Sequence, residues 1–400
     1  IGLQNNSIQA FQFGTNFFGF FSTTDGPGTA DNDYYEFTPQ QTDDAGILSI
    51  DTPSNPFGSG LNPVVVTLKN FAPTTLTRAT ISWSINGSAQ TPVQWSGSLA
   101  PLGTTSVQLG NFAFLGGKNY VIDARTDSPN GALDTDTSND DAQRSVCPMM
   151  IGTYRIGGAG ADFTTVQGAI NQLICAGMEG PVELVLNRGT GPLIESVVIP
   201  PIRGASALNR LTLTADTVIE TIRSSNVTTI KLDGADFVTI RNLTVDNQSS
   251  STFCASVQLV NRADFNIIED AILTGTSNLS SFSTGISQGT FYFTSQSTPN
   301  NAFNNIYRRN QILGMKYGIN LVSTTAGPDS NTLISDCFFD NFDRNAINST
   351  FQKSLTIERC DIGTAVGTFS QGIVSNNDVD VRIVGNRFSS TNGESVSLQN

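Results

Sequence analysis

The sequence predicts an all-β chain: a parallel β-helix, with an immunoglobulin-like β-sandwich lying between helix segments. Three observations carry this. Residues 43–146 break into about seven short alternating segments, residues from 238 onward repeat an eight-residue pattern at nearly constant spacing, and charged residues are scarce. At 14% they fall well below the roughly 25% of ordinary soluble chains. Ser, Thr, Asn and 37 Gly fill the gap, the make-up of a turn-rich β protein with polar, uncharged faces.

The sandwich segments run near 47–50, 64–69, 78–85, 93–95, 106–114, 119–124 and 142–146. Ile81, Trp83 and Ile85 alternate with Ser82 and Ser84, the period of a strand with one buried face. Asn86-Gly87 and Gly116-Gly117 supply turns between the runs. Seven strands in about 100 residues, with a Trp on a middle strand, fit an immunoglobulin-like sandwich. No cysteine pair lies inside it, so it lacks the antibody-type disulfide.

From 147 the pattern changes. Residues 164–173 place Val166, Ala169, Ile170 and Leu173 on one helical face with Thr at the start, predicting a single capping helix. The repeat follows: VTIRNLTV (238–245), NIIEDAIL (266–273), NIYRRNQI (305–312), TLISDCFF (332–339), LTIERCDI (355–362) and VRIVGNRF (381–388). Its third positions are Ile240, Ile268, Tyr307, Ile334, Ile357 and Ile383; its eighth are Val245, Leu273, Ile312, Phe339, Ile362 and Phe388. Sixth positions are 28, 39, 27, 23 and 26 residues apart, about one coil each, with a long loop near 288–301. Each coil exposes an apolar inner edge that only the next coil covers, so a solenoid follows, with like residues stacked at about 4.8 Å.

The same pattern recurs at IGLQNNSI (1–8), through Leu3, Asn6 and Ile8, and the chain closes on SVSLQN (395–400), which reads as the start of a coil. The expectation is a tandem repeat cut inside its β-helix, an internal piece of something longer. Three regions result: 1–42, terminal coils and cap of a preceding β-helix plus a linker; 43–146, the sandwich; 147–400, the β-helix with its capping helix. Phe11, Phe13, Phe17, Phe18, Phe20 and Phe21 are expected to cap an open solenoid end.

Several function classes drop out on composition. A net charge of -13 argues against neutralising nucleic-acid phosphates. The absence of histidine removes Ser-His-Asp and Cys-His catalysis and His-ligated zinc or haem. No run reaches the roughly 18 apolar residues of a membrane span. The five cysteines include no CxxC pair.

The stretches VVVTLKNFAPTTLTRATISWSING (64–87) and TPVQWSGSL (91–99) resemble CARDB-like immunoglobulin modules of large secreted bacterial proteins. The stretch CPMMIGTYRIGGAGADFTTVQGAINQLICAGMEGPVELVL (147–186) resembles the start of a pectate-lyase-like right-handed β-helix. Such pairs are typical of very large, tandem-repeat cell-surface proteins of Bacteroidota type. The resemblance implies an extracellular location, export by type IX secretion, and a structural or adhesive role as stalk, filament or adhesin. The same folds also carry enzymes, so a carbohydrate-active lyase or hydrolase, or a carbohydrate-binding module, is the alternative.

An enzyme on this helix needs clustered carboxylates, and the candidates are Asp264, Glu269, Asp270, Asp336, Asp340, Asp361, Asp378 and Asp380. The fifth repeat position reads Asn242, Asp270, Arg309, Asp336, Arg359, Gly385. A catalytic cleft concentrates like charges to raise a pKa, whereas Asp270, Arg309, Asp336 and Arg359 alternate in sign and read as an outward structural ladder. No catalytic residue is therefore assigned. Segments 25–33 and 134–141 are rich in Asp and Asn. Asp25, Asp31, Asp33, Asp134 and Asp136 are candidate ligands for a structural Ca²⁺, although neither segment has the spacing of a known calcium loop and solvated turns are the simpler reading. No other cofactor is expected.

Cys147 and Cys175 bracket the start of the helix and are expected to staple its cap. Cys337 and Cys360 share one position on neighbouring coils, as stacked thiols or a disulfide, with free thiols favoured. Cys254 is left as a buried single thiol. The expected partners are further copies of the unit and, second, surface polysaccharide, with no nucleic acid and no membrane insertion.

Overall fold

The structure is a computed structural model. It describes the backbone of residues 9–13, 16–24 and 30–37, and residues 43–134, 136–216, 219–275, 282–289, 300–368, 370–390 and 393–399. Two compact units emerge: residues 1–53, 63–112 and 120–146, and residues 54–62, 113–119 and 147–400.

In the first unit, strands Gln9–Phe13, Asn16–Thr24 and Ala30–Phe37 form an antiparallel meander, with Phe11 opposite Phe18 and Phe20 opposite Tyr34. These runs pair antiparallel, whereas the coils of a β-helix pair in parallel. The expected coil at 1–8 lies outside the described residues.

The sandwich places Ala45–Thr52, Gly60–Asn70 and Thr104–Phe114 in one sheet. Asp141–Val146, Tyr120–Asp127, Leu76–Ile85, Ser88–Ala89 and Val93–Leu99 make the other. Val64, Val66 and Leu68 on one sheet, and Ile81, Trp83 and Ile85 on the other, are buried at every second residue. The Trp83 ring lies where a Cβ on Gly110 would stand, 2.9 Å from ring carbon, and its indole N–H donates to the Thr91 carbonyl at 3.0 Å.

In the second unit, helix α1 (Val166–Ala176) closes one end of the solenoid, with Val166, Ala169, Ile170 and Leu173 fully buried. Its N-cap is Thr165, whose side chain accepts from Gly168 N; the Glu195 carboxylate takes the Val166 and Gln167 N–H groups at 2.9 and 3.0 Å. Three of the orphan donors at a helix start are thereby satisfied. Cys147 and Cys175 are joined in a disulfide.

Three parallel sheets of nine, eight and eight strands make the solenoid. In the first sheet Ile240, Ile268, Tyr307, Ile334, Ile357 and Ile383 pair in register on successive coils. In the second, Val245, Leu273, Ile312, Phe339, Ile362 and Phe388 do the same. The chain is thus all-β, a parallel β-helix together with an immunoglobulin-like sandwich.

Between these two sheets the chain turns on one residue. Asn242, Asp270, Arg309, Asp336, Arg359 and Gly385 all have φ between +52° and +66°. A left-handed corner lets the chain change sheets without a loop, and Asn, Asp and Gly tolerate it best.

Asparagines satisfy the backbone inside the turns. Asn310 takes Ala271 N on Oδ1 (3.1 Å) and donates to Ile268 O (2.8 Å); Asn386 does the same with Cys360 N (2.8 Å) and Ile357 O (3.0 Å). Buried peptide groups need such partners.

Candidate functional site

The corner charges border a cleft of about 550 Å³, lined by Arg155, Glu183, Asp216, Arg241, Asn242 and Asp270 among others. First-sheet strands supply Arg155, Glu183 and Arg241; the corners supply Asn242 and Asp270. Every carboxylate in it has a guanidinium: Asp216 meets Arg155 at 3.0 Å, Glu183 meets Arg241 at 2.8 Å, and Asp270 meets Arg309 at 2.7 Å. The bond from Arg309 holds the Asp270 carboxyl below the ordinary carboxylate range. A general acid needs the opposite shift, so Asp270 is held in the form that cannot donate a proton.

The ladder continues from it. Arg359 grips Asp336 through bonds of 2.8 and 2.9 Å and also reaches Glu358, and its hydrogen bond holds Asp336 low. Arg387 pairs with Asp361 and Arg382 with Glu358. Glu269 accepts from both Arg308 and Arg309 at 2.7 and 2.9 Å.

Carboxylates shifted upward lie elsewhere in the solenoid. Burial pushes Asp264 up to about 6, and its Oδ1 accepts Phe303 N at 2.9 Å. Burial also raises Asp329 and Asp378. Asp329 accepts from Gln288, Ala302 N and Ser323 at 2.8, 2.8 and 3.2 Å; Asp378 accepts from Gln352 N and Ser375, both at 2.7 Å, and from Ser349. These groups tie coils together through peptide, amide and hydroxyl donors. Asp340 likewise accepts Thr364 N at 2.8 Å.

A second cleft, about 510 Å³, crosses the third sheet and includes Phe282, Tyr317, Arg344, Asn345, Asn348 and Gln371. Phe253, Phe282 and Tyr317 stack on three successive coils, with ring centroids 5.0 and 6.1 Å apart and planes within 19° and 8°. Lys316 Nζ stands 4.7 Å over the Phe282 ring, and amides follow on the next coils. This face leaves no signal in the repeat spacing, because its motif, an aromatic in register before an Asn and a Gln, lies outside the eight-residue repeat.

Of the calcium candidates, Asp25 lies outside the described residues, and Asp31 and Asp33 are described only as strand backbone. Asp136 faces its own turn, accepting from Ser138 N and Oγ. Asp134 is buried and accepts Ala45 N at 3.1 Å. Among the described residues no group of three Asp, Glu, His or Cys side chains is arranged around a metal position. Cys254, Cys337 and Cys360 are free thiols and buried.

No family model and no curated protein matches the chain. Solved structures show distant likeness. A CARDB domain from Pyrococcus furiosus, described as a complex with di-metal ions, is 22% identical over 27% of this chain and 90% of its own, with a TM-score of 0.23. A domain from Methanosarcina acetivorans described as part of a cell surface protein is 20% identical over 28% and 95%, TM-score 0.24. An alginate lyase from Paenibacillus is 12% identical over 58% and 95%, TM-score 0.33. The fold stands on the strand register above and not on these likenesses. No helix among the described residues is long and apolar enough to cross a membrane.

Proposed function

We propose that the chain is a structural and adhesive unit of a large extracellular cell-surface protein or filament, in which the β-helix is a stiff element and the sandwich a spacer. The observation that carries this is the pairing of every carboxylate in the corner cleft with an arginine. A stalk needs stacked coils and neutralised ladders; a polysaccharide lyase or hydrolase needs unpaired carboxylates at set separations or a free base. Further copies of the unit are its proposed partners, since repetition multiplies reach and valency.

The test is turnover. Incubation with pectin, alginate and α-1,3-glucan is expected to release neither unsaturated nor newly reducing ends. Release that disappears in Asp216→Asn or Asp270→Asn chains would restore the enzyme.

One observation favours a second reading, carbohydrate binding without catalysis. The third-sheet cleft joins an aromatic stack to amides and cations, and its volume falls within the roughly 300–1,000 Å³ of small-ligand sites. Retardation by immobilised surface polysaccharide that is lost in Tyr317→Ala supports it; unchanged retardation removes it.

A further inference from the structure

The asparagine row between the first and second sheets is interrupted on two adjacent coils. Asn310 and Asn386 hold the repeat position on either side, and Cys337 and Cys360 hold it between them. Around the cysteines the two coils are locked in register. Ser335 pairs with Glu358, and Phe338 with Asp361. The Asp361 N–H donates to the Cys337 carbonyl at 2.8 Å, and one residue before each cysteine Arg359 grips Asp336 through bonds of 2.8 and 2.9 Å. Stacked strands lie about 4.7–4.9 Å apart, inside the roughly 4.4–6.8 Å that a disulfide spans between Cα atoms.

The side chains close the remaining gap. Cys337 donates both its S–H and its peptide N–H to the Cys360 sulfur, so the two Sγ atoms are in hydrogen-bonding contact. Both residues are 1% exposed, which keeps bulky reagents from the folded pair. Cys254 has no such neighbour: it lies on the third sheet, in register with Ser283. The two thiols are also unequal. The bond from Cys337 holds the Cys360 thiol low, whereas burial pushes Cys337 well above its usual range, so Cys360 supplies the first thiolate.

We propose that Cys337 and Cys360 are an oxidisable pair that closes into a second disulfide, stapling two successive coils of the solenoid. The step is exchange with a low-molecular-weight disulfide. The Cys360 thiolate attacks one of its sulfurs, breaking that S–S bond, releasing one small thiol and leaving a mixed disulfide. Cys337 then gives up its proton and displaces the second small thiol. The protons of both cysteines end on the released thiols; the cysteine pair is oxidised and the small disulfide reduced. Because both sulfurs are buried, the exchange belongs to folding, before the row is sealed. The bond closes a span of 23 residues, close to the 28 between Cys147 and Cys175, and restrains the unfolded chain in the same way.

The experiment refolds the reduced, unfolded full chain in a glutathione redox buffer, with the oxidised form raised until Cys147–Cys175 has closed. The chain is then quenched in acid, unfolded, alkylated with N-ethylmaleimide and weighed intact, and its peptides are mapped without reduction. One label, on Cys254, and a peptide pair joining Cys337 to Cys360 are expected. Cys337→Ser should take two labels, on Cys254 and Cys360, and unfold at lower denaturant than the oxidised wild type. Should that variant fail to fold, Cys360→Ser tests the pair from the other side, and the wild-type label count stands without either. Labels on Cys254, Cys337 and Cys360 together, with Cys147–Cys175 closed, overturn the proposal, as does a crosslink from Cys337 or Cys360 to Cys254. An equal yield of Cys337–Cys360 when oxidation is run in denaturant also overturns it, since nearness in sequence and not the coil register would then make the bond.

Discussion

Arg309 and Asp270 stand one coil apart at the same left-handed corner and meet through two parallel hydrogen bonds, Nε to Oδ1 at 2.8 Å and Nη2 to Oδ2 at 2.7 Å. Each residue sits at φ near +53°, where a non-glycine side chain is held against its preference. The pair therefore links two coils at the point where their backbones are least relaxed.

From this follows a prediction about the corner. Both side chains are 46% exposed, so a double-mutant cycle on Asp270 and Arg309 should return a coupling of roughly 0.2–1 kcal/mol that shrinks with added salt. Arg309→Gly loses the pair but relaxes the backbone and should be nearly neutral. Arg309→Val loses both and should cost about 1–3 kcal/mol, since a β-branched residue tolerates positive φ poorly. Equal melting temperatures for the two variants would show that the corner stores no strain.

The disulfide should matter through the unfolded chain. Cys147 and Cys175 are 28 residues apart, and closing a loop of that size is worth about 2–4 kcal/mol. The double Ser variant is expected to unfold at lower denaturant with a larger m-value, because its unfolded state is freer to expand.

Asp264 should make the solenoid more stable in acid than at neutrality. Its folded pKa is raised from 3.8 to about 6 by burial. A raised acid favours folding while protonated, so its contribution is complete below pH 3.8 and is lost as pH climbs through 6. The loss is on the order of 1–3 kcal/mol. Asp264→Asn keeps an acceptor for Phe303 N and should flatten stability between pH 4 and 7. An unchanged slope in that variant would assign the pH dependence to another group.

Tight contact between coils is tested at Gly318. A Cβ there would fall on the Ala346 carbonyl and 2.5 Å from the Phe339 ring, both fixed by the core. Gly318→Ala should cost about 1–3 kcal/mol, occasionally more. Gly314 faces open space at φ +66°, so Gly314→Ala should cost only about 1–2 kcal/mol, all of it conformational. Thermal melts of the two rank packing against backbone strain directly.

The six-coil register was legible because inward residues at a fixed offset must stack once the chain winds in parallel: Ile240 to Ile383 needed no further information. The coils before 238 carry no such motif, since Leu213 and Leu184 continue the inward row without the flanking pattern. The charge stack could be read from spacing, but not that its position is a left-handed corner; the Asn, Asp and Gly at Asn242, Asp270, Asp336 and Gly385 were the available signal. The antiparallel pairing at residues 9–37 leaves no mark in the coil pattern, because side-chain pattern carries no strand direction.

The buried thiols share a row with the asparagines, and this yields the last prediction. Cys337 and Cys360 occupy the repeat position held by Asn310 and Asn386. Cys337 Sγ already points at the Tyr307 carbonyl, 3.5 Å away, just as Asn310 donates to Ile268 O one coil earlier. Burial pushes the Cys337 thiol well above its usual range and Cys254 up to about 11, so these two native thiols should resist alkylation and react once the chain unfolds, whereas Cys360, held lower by its hydrogen bond with Cys337, is shielded by burial alone. Asparagine at 337 can reproduce both ladder bonds, to Tyr307 O and from Asn310 N. Because a net buried hydrogen bond is worth about 0.5–1.5 kcal/mol, Cys337→Asn should be neutral or stabilising. Cys337→Val fills similar volume without any polar contact and should do no better than wild type. If denaturant melts rank Asn below Val at this position, the ladder does not extend through the cysteine coils, and the thiols hold their row by packing alone.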